Sequence, residues 1–570
     1  MSKESPILTV ENLTVRFEDK VRGSVTAVKD VSFSLAKGKS LAIVGESGSG
    51  KSVSSLALMG LLPPTAQVTA KTMHLAELDL LKMSKDARRQ LCGRRMAMIF
   101  QEPMSSLNPL IQVGDQILET LLLHKDLGKK AAIDRTLELI DQVGLPTPSL
   151  LYKRYPHELS GGQQQRIMIA MGIACEPDLL IADEPTTALD VTIQKQVIEL
   201  LVSLQEKYQM SLLFITHDLA LVGDLADDIA VMYRGEMVET GKTAKVFADP
   251  REAYTRGLLA CRPPLDKRPV RLLTVSDFVA NTLPKIDYTP QPSKSTDEVI
   301  LEIKGLTKTY AQKKHLFAKP ELFHAVDQVD LKVRKGMRLG IVGESGCGKT
   351  TLARSIIRLI EPTDGTIIFD GLDITHLSDR DLIPVRRRIQ YIFQNPYGAL
   401  NPRMTIGEIL IEPLIIHELG GSKEDRWEAA AKQIESVGLS RSMLQRFPHE
   451  FSGGQRQRIC IARALMLNPE ILVCDECVSA LDVSVQAQIL NLLQDIQDER
   501  GITFIFISHD LAVVKYFSEE VCVMSKGKIV ERGAADEIYA HPKHIFTQRL
   551  LNAIPKGIPK GALASAPSYY

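Results

Sequence analysis

Short, wholly apolar runs recur along the chain, each leading into polar or glycine-rich residues. "LAIV" (41–44) and "LGIV" (339–342) lead into glycine loops, "LLIA" (179–182) and "ILVC" (471–474) into aspartate–glutamate pairs, and "LLFIT" (212–216) and "FIFIS" (504–508) into histidines. Runs of this length without polar alternation fit strands buried on both faces. Stretches of helical character such as "GKKAAIDRTLELIDQVG" (128–144) lie between them, and about 102–158 and 395–450 are the most helical, which predicts a separate helical lobe in each half. Alternating β and α segments predict a parallel sheet covered by helices. The polar residues then sit at strand ends, where open α/β sheets bind ligands.

The pattern is written twice. "VGESGSGKS" (44–52) returns as "VGESGCGKT" (342–350), "MIFQEPMSSLNP" (98–109) as "YIFQNPYGALNP" (391–402), "YPHELSGGQ" (155–163) as "FPHEFSGGQ" (447–455), and "LLIADEPTTALD" (179–190) as "ILVCDECVSALD" (471–482). The later motifs keep one offset, 292 residues, as from Ser160 to Ser452. Duplication on this scale predicts two similar units: residues 1–262 as the first with its C-terminal extension, 263–297 as a linker rich in Pro, Ser and Thr, 298–555 as the second, and 556–570 as a flexible tail.

Composition narrows the function. Lys plus Arg number 69 and Asp plus Glu 69, so no net field favours nucleic acid or an anionic membrane. Arg94, Arg95 and Arg386 to Arg388 read as short solvated groups. No apolar run approaches the ~18–20 residues of a spanning helix and the start lacks a secretion signal, so a soluble, cytosolic chain is expected. Eight scattered cysteines suit reduced thiols, and the C-x-x-C of Cys474 and Cys477 encloses an acidic pair.

"GESGSGKS" fits the phosphate-binding pattern G-x-x-x-x-G-K-[ST], with a strand before it and a helix after. Gly45, Ser47, Gly48, Ser49 and Gly50 allow N–H groups to curl round phosphate oxygens, Lys51 reaches the β- and γ-phosphates, and the Ser52 hydroxyl ligates Mg²⁺. Gly343, Ser345, Gly346, Cys347, Gly348, Lys349, Thr350 and the adjoining Thr351 repeat the loop. Asp183 and Asp475 end apolar strands, where carboxylates need a cation, and hold Mg²⁺ through water; Glu184 and Glu476 orient and polarise the attacking water. Gln101 and Gln394 reach both metal and water, and His217 and His509 reach a γ-phosphate. Phe17 and Tyr310, upstream of the loops, can stack on adenine.

This order of motifs resembles that of ATP-binding cassette (ABC) proteins over essentially the whole chain. The resemblance implies two tandem P-loop NTPase domains of the α/β class, each a RecA-like parallel-sheet core with a small antiparallel β region and a helical subdomain, using ATP and Mg²⁺. It implies that Ser160, Gly161, Gly162 and Gln163, and likewise Ser452, Gly453, Gly454 and Gln455, open a helix that binds the γ-phosphate held by the opposite domain. Two composite sites follow, with Asp190 and Asp482 along the seam. Cys477, where the first half has Pro185, is expected to loosen the turn after Glu476.

"FQEPMSSLNP" and "FQNPYGALNP", with the extensions "DPREAYTRGLL" (249–259) and "HPKHIFTQRLL" (541–551), resemble oligopeptide and dipeptide importer ATPases. That implies a peripheral subunit at the cytoplasmic face of a bacterial inner membrane. Its partners are two integral-membrane permeases and, through them, an extracytoplasmic substrate-binding protein, with no nucleic acid partner. Some relatives carry an iron–sulfur cluster in the extension; here only Cys261 lies there, so none is expected. The alternative is a soluble tandem ABC ATPase acting on ribosomes. Such proteins have "SHDR" after the histidine and a long charged linker, whereas this chain has "THDL", "SHDL" and repeated prolines.

Overall fold

The computed structural model describes residues 6–19, 23–187, 189–289, 293–312, 321–479 and 481–555. The expected tail, 556–570, lies outside them. Each half is built on a six-stranded sheet. In the first the order is Glu236–Lys242, Asp228–Tyr233, Ser40–Val44, Ser211–Thr216, Leu179–Asp183, Met96–Ile99, parallel except for the antiparallel first pair. In the second it is Lys528–Ala534, Glu520–Ser525, Arg338–Val342, Thr503–Ile507, Ile471–Asp475, Ile389–Ile392, with the same senses. The central strands are buried along their whole length, which is why their sequences show no polar alternation.

A smaller antiparallel sheet covers each core, formed in the first half by the long strands Pro6–Asp19 and Gly23–Ala36 with three short ones, and in the second by Val299–Gln312 and Glu321–Arg334 with two. Helices Val113–His124 and Lys129–Gln142 form the first helical lobe, and Ile406–Ile416 and Lys423–Ser436 the second. Each lobe closes by placing an aromatic ring on a glycine. A Cβ on Gly114 would stand 2.2 Å from the Tyr152 ring, and one on Gly407 would stand 2.0 Å from Trp427.

The two halves share one contiguous apolar cluster that includes Phe214 and Cys261 of the first and Phe504 and Phe517 of the second. Residues of the expected linker lodge against the second half. Leu272 N donates to Asn491 Oδ1 at 2.9 Å and Asn491 Nδ2 returns a bond to Leu272 O at 2.8 Å, so one buried amide satisfies a backbone pair as a strand neighbour would. Arg268 donates to the carbonyls of Lys515 and Ser518 at the end of helix Leu511–Phe517, where a cation is favoured. From the other side, Lys195 and Arg262 of the first half donate to Asn552 O and Pro555 O at the end of the second extension.

Candidate active sites

Each glycine loop turns directly from a buried strand into a helix, Lys51–Met59 or Lys349–Ile356. Gly50 and Gly348, just before those helices, take φ of 102° and 107°. A side chain is excluded there by the left-handed backbone and by crowding, since its Cβ would stand 2.7 Å from Ala27 O or 2.0 Å from Ala325 O. Lys51 Nζ folds back to donate to Gly45 O at 2.8 Å and Glu46 O at 2.9 Å, and Lys349 Nζ to Gly343 O at 2.8 Å and Glu344 O at 3.0 Å. Both lysines are buried. Burial lowers the Lys51 pKa, and the charges of Glu184, Asp482 and Asp183 offset it in part. A buried cation held only on carbonyls, beside the N–H groups that a helix start leaves without intrahelical partners, fits a phosphate chain.

The hydroxyl after each lysine touches the strand-end aspartate. Ser52 Oγ donates to Asp183 Oδ1 at 3.0 Å and Thr350 Oγ1 to Asp475 Oδ1 at 3.0 Å. Paired hydroxyl and carboxylate oxygens are the donor type Mg²⁺ takes, so the residues fit that ion. Cys347 stands where the first loop has Ser49, and burial pushes its thiol pKa up. Thr351, beside Thr350, is half-buried in the first helical turn.

The neighbouring glutamates have left-handed backbones, with φ of 46° at Glu184 and 48° at Glu476. For a residue with a side chain this conformation is strained by about 1–2 kcal/mol. Backbone bonds hold it in place, Glu184 N to Ile215 O and Glu476 N to Ile507 O, both 2.9 Å. Around Glu184 Oε2 converge Gln101 Nε2 at 3.0 Å, Thr187 Oγ1 at 2.9 Å and His217 Nδ1 at 3.2 Å. Around Glu476 Oε2 stand Gln394 Nε2 at 2.7 Å and His509 Nδ1 at 3.5 Å. The structure thus brings the glutamine, glutamate and histidine of each half together.

Environment drives the first acidic pair apart. Burial, together with the charge of Glu184, lifts the Asp183 carboxyl to about 6 against the Ser52 hydrogen bond. Burial acts on Glu184 in the same direction, but the hydrogen bond and charge of His217, with Lys51, outweigh it and hold Glu184 down at about 2. His217 moves the other way: burial lowers its pKa, yet Glu184 raises it overall. In the second half the directions repeat, Asp475 raised chiefly by burial and Glu476 lowered by His509. The turn after each glutamate closes with a 3.2 Å bond, Thr187 N to Glu184 O and Ser479 N to Glu476 O. With Cys477 in the place of Pro185, the second turn has the same closing bond as the first.

Two contacts bridge the halves at these loops. Asp190 Oδ2, in the first half, accepts from Ser345 N in the second glycine loop at 3.2 Å. The charge of Asp482, in the second half, acts on Lys51 and His217 of the first, opposing the effect of burial on both, although the Lys51 pKa stays lowered. The "SGGQ" segments also cap their own helices. Ser160 Oγ accepts from Gln163 N at 3.3 Å while Gln163 Oε1 accepts from Ser160 N at 3.0 Å, and Ser452 and Gln455 repeat this capping box. Gly161 and Gly453 stand exposed beside them, and Gly162 and Gly454 pack on Ile193 and Val485. Among the described residues no hydrogen bond joins either serine to the opposing loop. Phe17 is half-buried against the antiparallel sheet, whereas Tyr310 is 39% exposed with Lys308 Nζ 5.2 Å from its ring centre.

Four groups escaped the sequence reading. Thr187 donates to Glu184, Tyr391 donates to Asp475 Oδ2 at 2.5 Å with Arg354 close to both, and Tyr254 in the first extension accepts from Glu46 N at 2.9 Å. Only the first extension makes that last contact possible, because Phe546 stands at the matching place in the second.

A family described as ABC transporter matches residues 28–187 and 326–479, and one described as oligopeptide/dipeptide transporter, C-terminal region, matches residues 238–281. The chain is similar to the glutathione import ATP-binding protein GsiA of Shigella dysenteriae, at 45% identity over 567 residues, covering 97% of this chain and 90% of that protein. The protein of the same description from Escherichia coli K12 gives the same identity and coverage. That from Pectobacterium atrosepticum is 44% identical over 572 residues, covering 98% of this chain and 91% of its own length. The ribosome-acting alternative finds no support among these relatives.

Proposed function

Because the chain belongs to the ABC transporter family, as an ATP-hydrolysing subunit of a bacterial importer, we propose that it clasps two ATP molecules in the seam between its halves and powers uptake of a peptide-class solute, glutathione first. The observation that carries the clasp is the Asp190–Ser345 bond, which sets an acidic residue of one half on the phosphate loop of the other. In this reading each half contributes a glycine loop, a lysine and an acidic pair to one site, and its serine–glycine helix start to the other. Ser160 and Ser452 exchange their capping bonds for a γ-phosphate oxygen as the seam closes, leaving Gln163 and Gln455 to hold the helix ends. Glu184 and Glu476, held ionised by their histidines, accept a hydrogen bond from the attacking water and aim it, and His217 and His509 then stand beside the γ-phosphate. Ser52, Asp183 and Gln101, and Thr350, Asp475 and Gln394, would hold Mg²⁺ directly or through water; that ion supplies charge neutralisation on the β- and γ-phosphates. Phe17 and Tyr310 offer faces for adenine.

Import ATP-binding subunits work with membrane permeases, and among the described residues no helix is long and apolar enough to cross a membrane. A cleft of about 710 Å³ opens between the sheet edge and the first helical lobe, lined by Met98, Phe100, Leu107, Leu123, Met168 and Met171. We assign it to a cytoplasmic permease helix, with the chain on the inner face of the membrane and a substrate-binding protein on the far side. Gln101, which follows the lining residue Phe100, donates to Glu184. The clasp is tested by pairing Ser47→Cys with Ser452→Cys in an Glu184→Gln/Glu476→Gln background. A disulfide that forms with ATP and fails with ADP is expected; one indifferent to nucleotide, or none at all, overturns the clasp. Loss of radiolabelled glutathione uptake on deleting the gene tests the cargo, and undiminished uptake excludes it.

A further inference from the structure

We propose that Tyr391 is a positioning residue of the second site: its hydroxyl pins the Asp475 carboxylate, giving the second half a tighter divalent cation–nucleotide complex than the first. The inference rests on the reading of Asp475 as a metal-holding group. Asp475 has both oxygens engaged, Oδ1 by Thr350 at 3.0 Å and Oδ2 by Tyr391 at 2.5 Å. Tyr391 is itself fixed. It is 8% exposed, its ring centre lies 4.7 Å from that of Phe393, and it belongs to the edge strand Ile389–Ile392, one pair before the strand's last. Arg354, on the helix that opens with Lys349, acts on both the phenol and the carboxylate.

The first half lacks both the phenol and the guanidinium of this brace. By register, Met98 pairs with Ile181 as Tyr391 pairs with Val473, so Met98 stands in the phenol's place. Counting from each loop lysine, Leu56 stands where Arg354 does. Among the described hydrogen bonds Asp183 receives only that from Ser52. A carboxylate held at one oxygen can rotate about its last bond, whereas one held at both is already set for its ligand, and groups that orient a metal's ligands govern its affinity. A buried phenol needs a partner in any protein, and the presence of Arg354 beside the same carboxylate makes the pair a built feature.

The experiment titrates Mn²⁺ into the full chain with the non-hydrolysable analogue AMP-PNP, reading free Mn²⁺ by electron paramagnetic resonance. The wild type is expected to show two classes of bound ion. Tyr391→Phe, which keeps the ring, is expected to weaken the tighter class by roughly tenfold and leave the weaker one unchanged. An unaltered titration, or a shift confined to the weaker class, overturns the inference. Lys349→Ala separates the two levels of the argument. If it removes the tighter class while Tyr391→Phe does nothing, the brace is wrong and the nucleotide site stands; if it leaves both classes intact, the underlying reading of the second site fails as well.

Discussion

The strand ends at residues 183–187 and 475–479 share a backbone and divide their hydrogen bonds differently. In the first, three side chains converge on the glutamate: Gln101, Thr187 and His217 all reach Glu184, while Asp183 takes a single bond. In the second the emphasis is reversed. Asp475 takes two bonds, Glu476 has a longer approach from His509, and the buried Ser479 hydroxyl has no partner among the described residues. Two copies of one motif thus direct their polar contacts to different carboxylates, the first to the glutamate proposed above to aim water and the second to the aspartate proposed to hold the metal. The lesson is that retention of every motif residue does not make two sites equivalent.

Three pairs of substitutions test this difference. The largest effect is expected at the glutamates: Glu184→Gln should lower steady-state ATP turnover by about 10²–10³-fold, and Glu476→Gln by a smaller factor. Equal losses in a phosphate-release assay would collapse the distinction. Next comes the hydroxyl three residues on. Thr187→Ala removes a bond to an ionised carboxylate, a change of about 1.5–3 kcal/mol, and should slow turnover roughly tenfold; Ser479→Ala deletes a group that has no partner and should leave both turnover and melting temperature unchanged. A matching loss in the two variants would show that the Ser479 hydroxyl finds a partner during the cycle. Smallest is Tyr254→Phe, which strips the acceptor from Glu46 N in the first loop, a bond of about 1 kcal/mol. Weakening of one of two nucleotide-binding classes by about fivefold in a fluorescent-ATP titration is expected, and Phe546→Tyr, which supplies the hydroxyl at the matching place, is expected to tighten the other class.

Much of the fold was legible because buried parallel strands advertise themselves as unbroken apolar runs, and the polar residue that ends each run falls at the sheet's carboxyl edge. That placed Lys51, Asp183, Glu184 and His217 near one another before any coordinates. The helical lobes were readable for the same reason, as stretches where the period changes. What stayed hidden depends on contacts between distant segments. The meeting of Tyr391 with Asp475 follows from strand register and side-chain reach, and a tyrosine two residues before a phenylalanine carries no such signal on its own. The strained backbone of Glu184 and Glu476 was invisible, because glutamate has no special preference for positive φ and the surrounding bonds impose it. Gln163 and Gln455 were read only through their motif, although S-x-x-Q at a helix start also spells a capping box. The proline-rich stretch after residue 262 suggested a spacer, since composition gives no hint that Asn491 will satisfy the backbone of Leu272.

That docked segment has a kinetic consequence. With the two halves covalently joined and the connecting segment already seated, their encounter is a first-order event governed by local effective molarity, not by how much protein a cell makes. ATP turnover per molecule should therefore stay constant on dilution, and a scarce transporter would lose none of its engines to dissociation.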